Sequence, residues 1–297
     1  MHVPRVFAAS ERVLDILMLC AGPSTTDNLA TILRERGHTV TCFDTAICSS
    51  HDLTQPALQH RVLALAARVN FVFMSPPCLT ASIAYDPPVR TVRCPRGIDG
   101  LNAEIQLRVD TANTLYKLCA AAASVCLDHN VGFAIESAAS RRHGPGKCLW
   151  PRFADYGFLW DFPEIAALTS VYYKCFAQCA FGAPWQKYTG VLVDSSSEPT
   201  FARLFDHAQC DCIAHQVRLK GYDDSGVART AVAAAYIPRL AQTFASAIVD
   251  SCYDRTPDSA RTARHALSSL TRDSMLETMS DAHVFDLSCD VSDTNVE

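Results

Sequence analysis

The sequence predicts an α/β fold: a Rossmann-like, doubly wound, mostly parallel sheet with a small loop-rich insertion and a disordered acidic C-terminal tail. Three observations predict it. Apolar runs of strand length alternate with amphipathic segments of helical length. Residues capable of chemistry stand just after those runs, where an open parallel sheet gathers its ligands. The 297 residues are 49% hydrophobic and only 19% charged, enough to bury one sizeable core.

The elements follow in order. Residues 13–20, Val-Leu-Asp-Ile-Leu-Met-Leu-Cys, read as a buried strand that runs into the turn Ala21-Gly22-Pro23-Ser24. Thr25 or Thr26 can N-cap a helix with Leu29, Ile32 and Leu33 at helical spacing, closed by Gly37. Val40-Thr41-Cys42-Phe43 is a second strand, ending at Asp44. A helix near 55–68 leads to a third strand, Phe71-Val72-Phe73-Met74, which stops at a proline pair. A long helix over about 100–129 precedes a fourth strand, Gly132-Phe133-Ala134-Ile135, ending at Glu136. Residues 138–168, with clustered arginines, glycines and tryptophans, read as the loop-rich insertion. Val171–Cys175 and Thr189–Val193 are later strands, and Thr230–Val249 is an alanine-rich amphipathic helix. The domain expected is 1–250, with a polar, acidic tail over 251–297.

The net charge is −5, but the tail holds nine acids against four arginines, so residues 1–250 carry 22 charges of each sign. A neutral core permits a nucleic-acid partner without demanding one. No apolar run reaches the length of a membrane span, and the first residues lack a secretory layout, so an intracellular protein without a membrane partner is expected, as a monomer. The fourteen cysteines are scattered, several within apolar stretches, and are read as reduced.

The strand ends supply Gly22, Asp44, Asp52 in the following loop, Ser75-Pro76-Pro77-Cys78 and Glu136. Gly22 allows close backbone approach, and Asp44 can accept hydrogen bonds from ribose hydroxyls. Neither GxGxxG nor GxxxxGK[ST] occurs in the first turn, which argues against NAD or ATP. Cys78, stiffened by two prolines at a strand end, suits a nucleophile. An acid at the end of an apolar strand, Glu136, is costly unless it binds something.

These residues, with Ala234-Ala235-Tyr236-Ile237-Pro238 downstream, occur in the order seen in DNA cytosine-5 methyltransferases, and the chain resembles a short, divergent member such as viruses and mobile elements carry. The match covers about 13–136 and, more loosely, 171–249. The resemblance implies S-adenosylmethionine as cofactor, with Gly22, Asp44, Asp52, Ser75 and Pro76 around it, Cys78 as nucleophile and Glu136 as the acid that engages the base. It implies DNA as partner, with RNA as an alternative carrier of the cytosine; Arg90, Arg93 and Arg96, just beyond Cys78, and Lys187 are read as substrate-side residues. Arg141, Arg142, Lys147 and Arg152 of the insertion are further candidates for phosphate contacts. The chain departs from the family where a Phe-x-Gly-x-Gly turn becomes Cys20-Ala21-Gly22-Pro23-Ser24, where Ser137 replaces Asn after the acid, and where no Gln-x-Arg-x-Arg occurs; Gln178 and Gln186-Lys187 are the nearest substitutes.

Other readings stand beside this one. Ser-Pro-Pro-x also resembles the Asn-Pro-Pro-Tyr motif of amino-methyltransferases, with Cys78 in place of the aromatic residue. A homologue without activity is a further reading. Cys210-x-Cys212-x-x-His215, with His207, Cys175 and Cys179, suggests a zinc-containing nucleic-acid binding module, although that spacing is atypical. Cytosine methylation itself needs no metal.

Overall fold

The computed structural model describes residues 12–142, 148–221, 224–225 and 229–255. Lys147 and nearly all of the acidic tail therefore lie outside the described residues. Those described build a six-stranded mixed sheet in the order β2-β1-β3-β4-β6-β5.

β1 (Asp15–Leu19) pairs in parallel with β2 (Thr39–Phe43) on one side and β3 (Phe71–Met74) on the other. β3 pairs in parallel with β4 (Gly132–Ala138). β6 (Tyr188–Asp194) runs antiparallel to both β4 and β5 (Val171–Ala177), so it is the one reversed strand among the six. The expectation of a mostly parallel sheet agrees with this order.

Alternation along β1 shows why the sheet needs cover on both faces. Leu17 and Leu19 belong to one core cluster, with α2 (Pro56–Ala66) and α3 (Ala103–His129). Leu14, Ile16 and Met18 belong to the other, with α1 (Leu29–Glu35), α5 (Glu198–Phe205) and α6 (Pro238–Asp254). A short α4 (Pro163–Ala166) and two single-turn 3₁₀ segments, Pro151–Phe153 and Leu159–Asp161, punctuate the expected insertion.

Several boundaries differ from the sequence reading for local reasons. Asn28, rather than Thr25 or Thr26, caps α1, its Oδ1 accepting the Thr31 N–H at 2.8 Å. β4 does not stop at Glu136 but continues to Ala138, because β6 pairs alongside it through Thr189. The last helix starts at Pro238; the alanines before it form only a 3₁₀ turn, Ala231–Ala233. The stretch Ala231–Asp254 is long and apolar enough to cross a membrane by composition, yet Leu240, Phe244 and Ile248 of α6 are fully buried against the sheet. α5 was not anticipated; it starts after Asp194, whose carboxylate takes the Ser196 and Ser197 N–H groups.

Candidate active site

The carboxyl ends of β1, β3 and β4 lie side by side, since Leu19 pairs with Met74 and Met74 with Ile135. Ser75 and Glu136 therefore follow on neighbouring strands. Ser75 is tied to the end of β1, its backbone N–H donating to Leu19 O at 3.1 Å and its hydroxyl to Cys20 O at 2.9 Å. Pro76 is buried, and the carbonyl of Pro77 accepts the Tyr116 hydroxyl of α3 at 2.6 Å. The proline segment is thus held from both sides, and Cys78 sits at its end, partly buried.

Burial pushes the Cys78 thiol above its ordinary pKa, the Lys187 ammonium opposes that rise, and the Glu136 carboxylate adds to it. The polar backbone at Cys78 and Ala138 also acts to lower the thiol's pKa. Ala138 and Glu136 are two residues apart on β4 and share a face, so one strand brings both backbone and carboxylate to the thiol.

Glu136 is 7% exposed, and burial raises its pKa; Lys187 and a hydrogen bond from Tyr236 work in the opposite direction. The Tyr236 hydroxyl donates to Oε2 at 2.9 Å. Oε1 is then the oxygen left to meet a ligand. Lys187, just before β6, donates from Nζ to Ala233 O at 2.7 Å. The sequence had marked Tyr236 only as part of a downstream motif; its hold on Glu136 links residues 100 apart and appears only in the folded chain.

The cofactor side is built around the turn after β1. Cys20 (φ +56°) and Gly22 (φ +72°) both occupy the left-handed region, so the chain folds back sharply. The Gly22 N–H donates to Asp44 Oδ2 at 2.9 Å and the Ala46 N–H to Oδ1 at 2.8 Å. A carboxylate has about four acceptor sites, so half-buried Asp44 keeps capacity for hydroxyls. A Cβ on Gly22 would meet nothing within 4 Å, which leaves open space beside that carboxylate. This donor and acceptor set fits the ribose of a nucleoside cofactor. Cys20 is a poor nucleophile, because burial and then Asp44 push its thiol up to about 12.

Asp52 is placed differently. Both its oxygens serve its own turn, accepting from Thr54 N–H and Oγ1 and from Gln55 Nε2, and these bonds, the Thr54 hydroxyl first, hold its pKa low. It shapes the entry to α2.

Three of the arginines read as phosphate contacts need correction: Arg90, Arg141 and Arg142 are spent inside the fold. Arg90 is 1% exposed, its guanidinium spent on Thr80 Oγ1, Pro95 O, Asn113 Oδ1 and Val109 O. It cannot reach a phosphate without unfolding that network. Arg141 is buried, its guanidinium over the Tyr188 ring, and Arg142 binds Ala154 O, Tyr156 O and Asp161. Arg152 pairs with Asp86 at 2.7 Å. Arg96 pairs with Glu164 at 2.8 Å and covers the Phe162 ring. Arg93 is exposed and Lys187 alone of this group faces the Cys78–Glu136 pair.

No protein-family model and no curated protein matches the chain. Solved structures that resemble it include a prophage-encoded protein of E. coli described as a DNA modification methyltransferase (10% identity, TM-score 0.31, 61% of this chain and 46% of that one). Also similar are the methyltransferase EhMeth of Entamoeba histolytica (12%, 0.32, 62% and 54%) and the Dnmt2 methyltransferase of S. pombe (10%, 0.29, 62% and 50%). The chain spans about half the length of these proteins.

Proposed function

We propose that the chain transfers a methyl group from S-adenosylmethionine to C5 of cytosine in DNA, through a covalent adduct on Cys78. One observation carries this reading: a thiol and a buried carboxyl meet at the ends of adjacent parallel strands under a single ammonium, Lys187. C5 of cytosine is too weak a nucleophile to attack an electrophilic methyl unaided, so the ring must first be activated by addition at C6.

The residues divide that task. Lys187 favours the Cys78 thiolate, whose sulfur forms a bond to C6 while the displaced ring electrons reach N3. Glu136, held protonated more readily by its burial and fixed through Oε2 by Tyr236, gives its proton to N3 from Oε1. S-adenosylmethionine, when bound, would supply the electrophilic methyl group for C5 and leave as the neutral thioether S-adenosylhomocysteine. Loss of the C5 proton to solvent then expels the Cys78 thiolate, and N3 returns its proton to Glu136. Asp44 and the Gly22 turn would hold the cofactor ribose. A base in a duplex must leave the stack to reach this site.

The test is transfer of labelled methyl to DNA and, separately, to RNA, with nucleoside analysis. 5-Methylcytosine is expected, with DNA as the better carrier. DNA containing 5-fluorocytosine should accumulate on the protein as a denaturation-resistant adduct dependent on S-adenosylmethionine, because fluorine cannot leave as the proton does. Cys78→Ser should abolish adduct and transfer; Glu136→Gln should slow both by roughly 10²-fold or more. Transfer that survives in Cys78→Ser, or N6-methyladenine as product, rejects the reading in favour of an amino-methyltransferase.

A further inference from the structure

Outside the Cys78 site, a second cluster of side chains has no part in methyl transfer. Cys179, Cys210, Cys212 and His215 each offer one ligand atom, and these four atoms all lie within 4.8 Å of one another. They come from two separate parts of the chain. Cys179 stands on the 3₁₀ turn Gln178–Phe181 that follows β5, and the other three lie in the irregular segment after α5.

We infer that these four residues form a structural zinc site of the Cys₃His type, which fastens the segment around 207–219 to the end of the β5–β6 hairpin. The number and kind of donors match tetrahedral zinc: three thiolates and one imidazole, with no carboxylate and no open position for a reacting water. One separation already has the metal-site value. With Zn–S of about 2.3 Å and Zn–N of about 2.0–2.1 Å, tetrahedral geometry sets neighbouring ligand atoms about 3.5–3.8 Å apart. Cys210 Sγ and His215 Nε2 stand 3.5 Å apart. Three thiols so close gain little from each other, since sulfur is a weak donor and a weak acceptor, whereas a cation would draw all of them in.

The surroundings are those of a ligated site. Gln186 Nε2 donates to Cys210 Sγ at 3.3 Å, the kind of outer hydrogen bond that steadies a metal-bound thiolate. Next to Cys179, fully buried Gln178 donates to Thr189 Oγ1 at 3.1 Å and accepts from Trp185 Nε1 at 2.9 Å, so the first ligand stands on a rigid base. The segment that carries the other three has almost no regular structure. Its backbone is anchored where Ala177 N–H on β5 donates to Ala208 O at 2.8 Å and where Val217 N–H donates to Pro184 O at 2.9 Å just before β6, with Gln209 Nε2 also donating to Cys175 O at 3.3 Å. A metal between those two anchors supplies the cohesion that a helix or strand would otherwise provide.

The structure also selects among the donors seen in the sequence. Cys175 faces Cys148, sulfur to sulfur at 3.2 Å, and His207 is exposed, so neither belongs to the cluster. The atypical Cys-x-Cys-x-x-His spacing is completed by Cys179, thirty-one positions upstream of Cys210. Binding balances as Zn²⁺ plus three thiols and one neutral imidazole giving the zinc complex and three released protons, so the site carries a net charge of −1.

The test is elemental analysis of the full chain purified under reducing conditions, and it reads metal rather than methyl transfer, so it stands or falls apart from the proposed activity. About one zinc per chain is expected. Cys212→Ser and His215→Ala should lose most of it, while Cys94→Ser, at an exposed cysteine outside the cluster, should keep it. Should the first two variants fail to fold, His215→Cys preserves four ligands: cobalt(II) in the original chain should give the intense visible absorption of a tetrahedral thiolate site, and His215→Cys should retain binding with an altered spectrum. A reduced chain that neither carries zinc nor takes it from a chromogenic chelator overturns the inference, as does zinc unchanged in the Cys212→Ser and His215→Ala variants.

Discussion

Lys187 is the residue on which the charge balance of the Cys78 site turns. Its ammonium works against the burial that raises both the Cys78 thiol and the Glu136 carboxyl. Removing that charge should therefore move Cys78 ionisation further toward alkaline pH. In Lys187→Met the alkylation of Cys78, followed by peptide mass spectrometry across a pH series, should need a higher pH than in the original chain, while Lys187→Arg should stay close to it. A profile unchanged in Lys187→Met would mean that the ammonium does not act on the sulfur. Arg90 teaches the opposite lesson at the same scale: a residue twelve positions after Cys78 looks like a phosphate contact in the sequence, yet its charge is consumed inside the fold. Whether a cation faces solvent is set by its packing, and charge alone does not reveal it.

Among the elements, the β5–β6 hairpin supports the site from beneath. Gly190 of β6 lies opposite Ser137 of β4 and Cys175 of β5. A Cβ there would stand 2.6 Å from Tyr173 Cε2 and 2.8 Å from Trp160 Cζ2. Those rings meet edge to face, and their polar ends hold the chain just past Glu136: Trp160 Nε1 donates to Ala138 O at 2.8 Å, and the Tyr173 hydroxyl accepts the Ser140 N–H at 3.0 Å. Gly190→Ala should thus overpack this layer and cost about 1–3 kcal/mol. Denaturant unfolding would show it as a lower midpoint with an unchanged slope. A midpoint that does not move would show that the rings shift aside freely, and the hairpin would then be no constraint on Ala138.

For the whole molecule, the buried Glu136 links the site to global stability. Its folded pKa is raised above the unfolded value, so the contribution it makes is present below the unfolded pKa and is lost as pH rises through the folded one. The unliganded protein carries that cost at neutral pH. Glu136→Gln, which keeps a partner for the Tyr236 hydroxyl, should be more stable than the original chain at neutral and alkaline pH, with the difference closing as the pH falls below the ordinary carboxylate range. Thermal unfolding across pH measures it, and a gap independent of pH would count against a strained carboxyl. The sheet permits such an arrangement because, among the described residues, core clusters cover both of its faces and the carboxyl ends of its strands are where ligands gather.

The alternation of apolar runs with helical segments determined the layered α/β fold, and strand-end positions determined that Ser75, Cys78 and Glu136 would gather at one edge. Those features are local: periodicity and the stiffness of a proline pair do not depend on distant contacts. The reversed strand β6, the length of β4 beyond Glu136 and the grip of Tyr236 on Glu136 depend on pairings across 50 to 100 residues, which no window of sequence contains. The same reason separates the arginines of the core from those of the surface. It also explains the cysteines: a spacing that reads as atypical along the chain becomes a four-donor cluster once β5 and the segment after α5 are folded together, because tertiary structure supplies Cys179 from elsewhere.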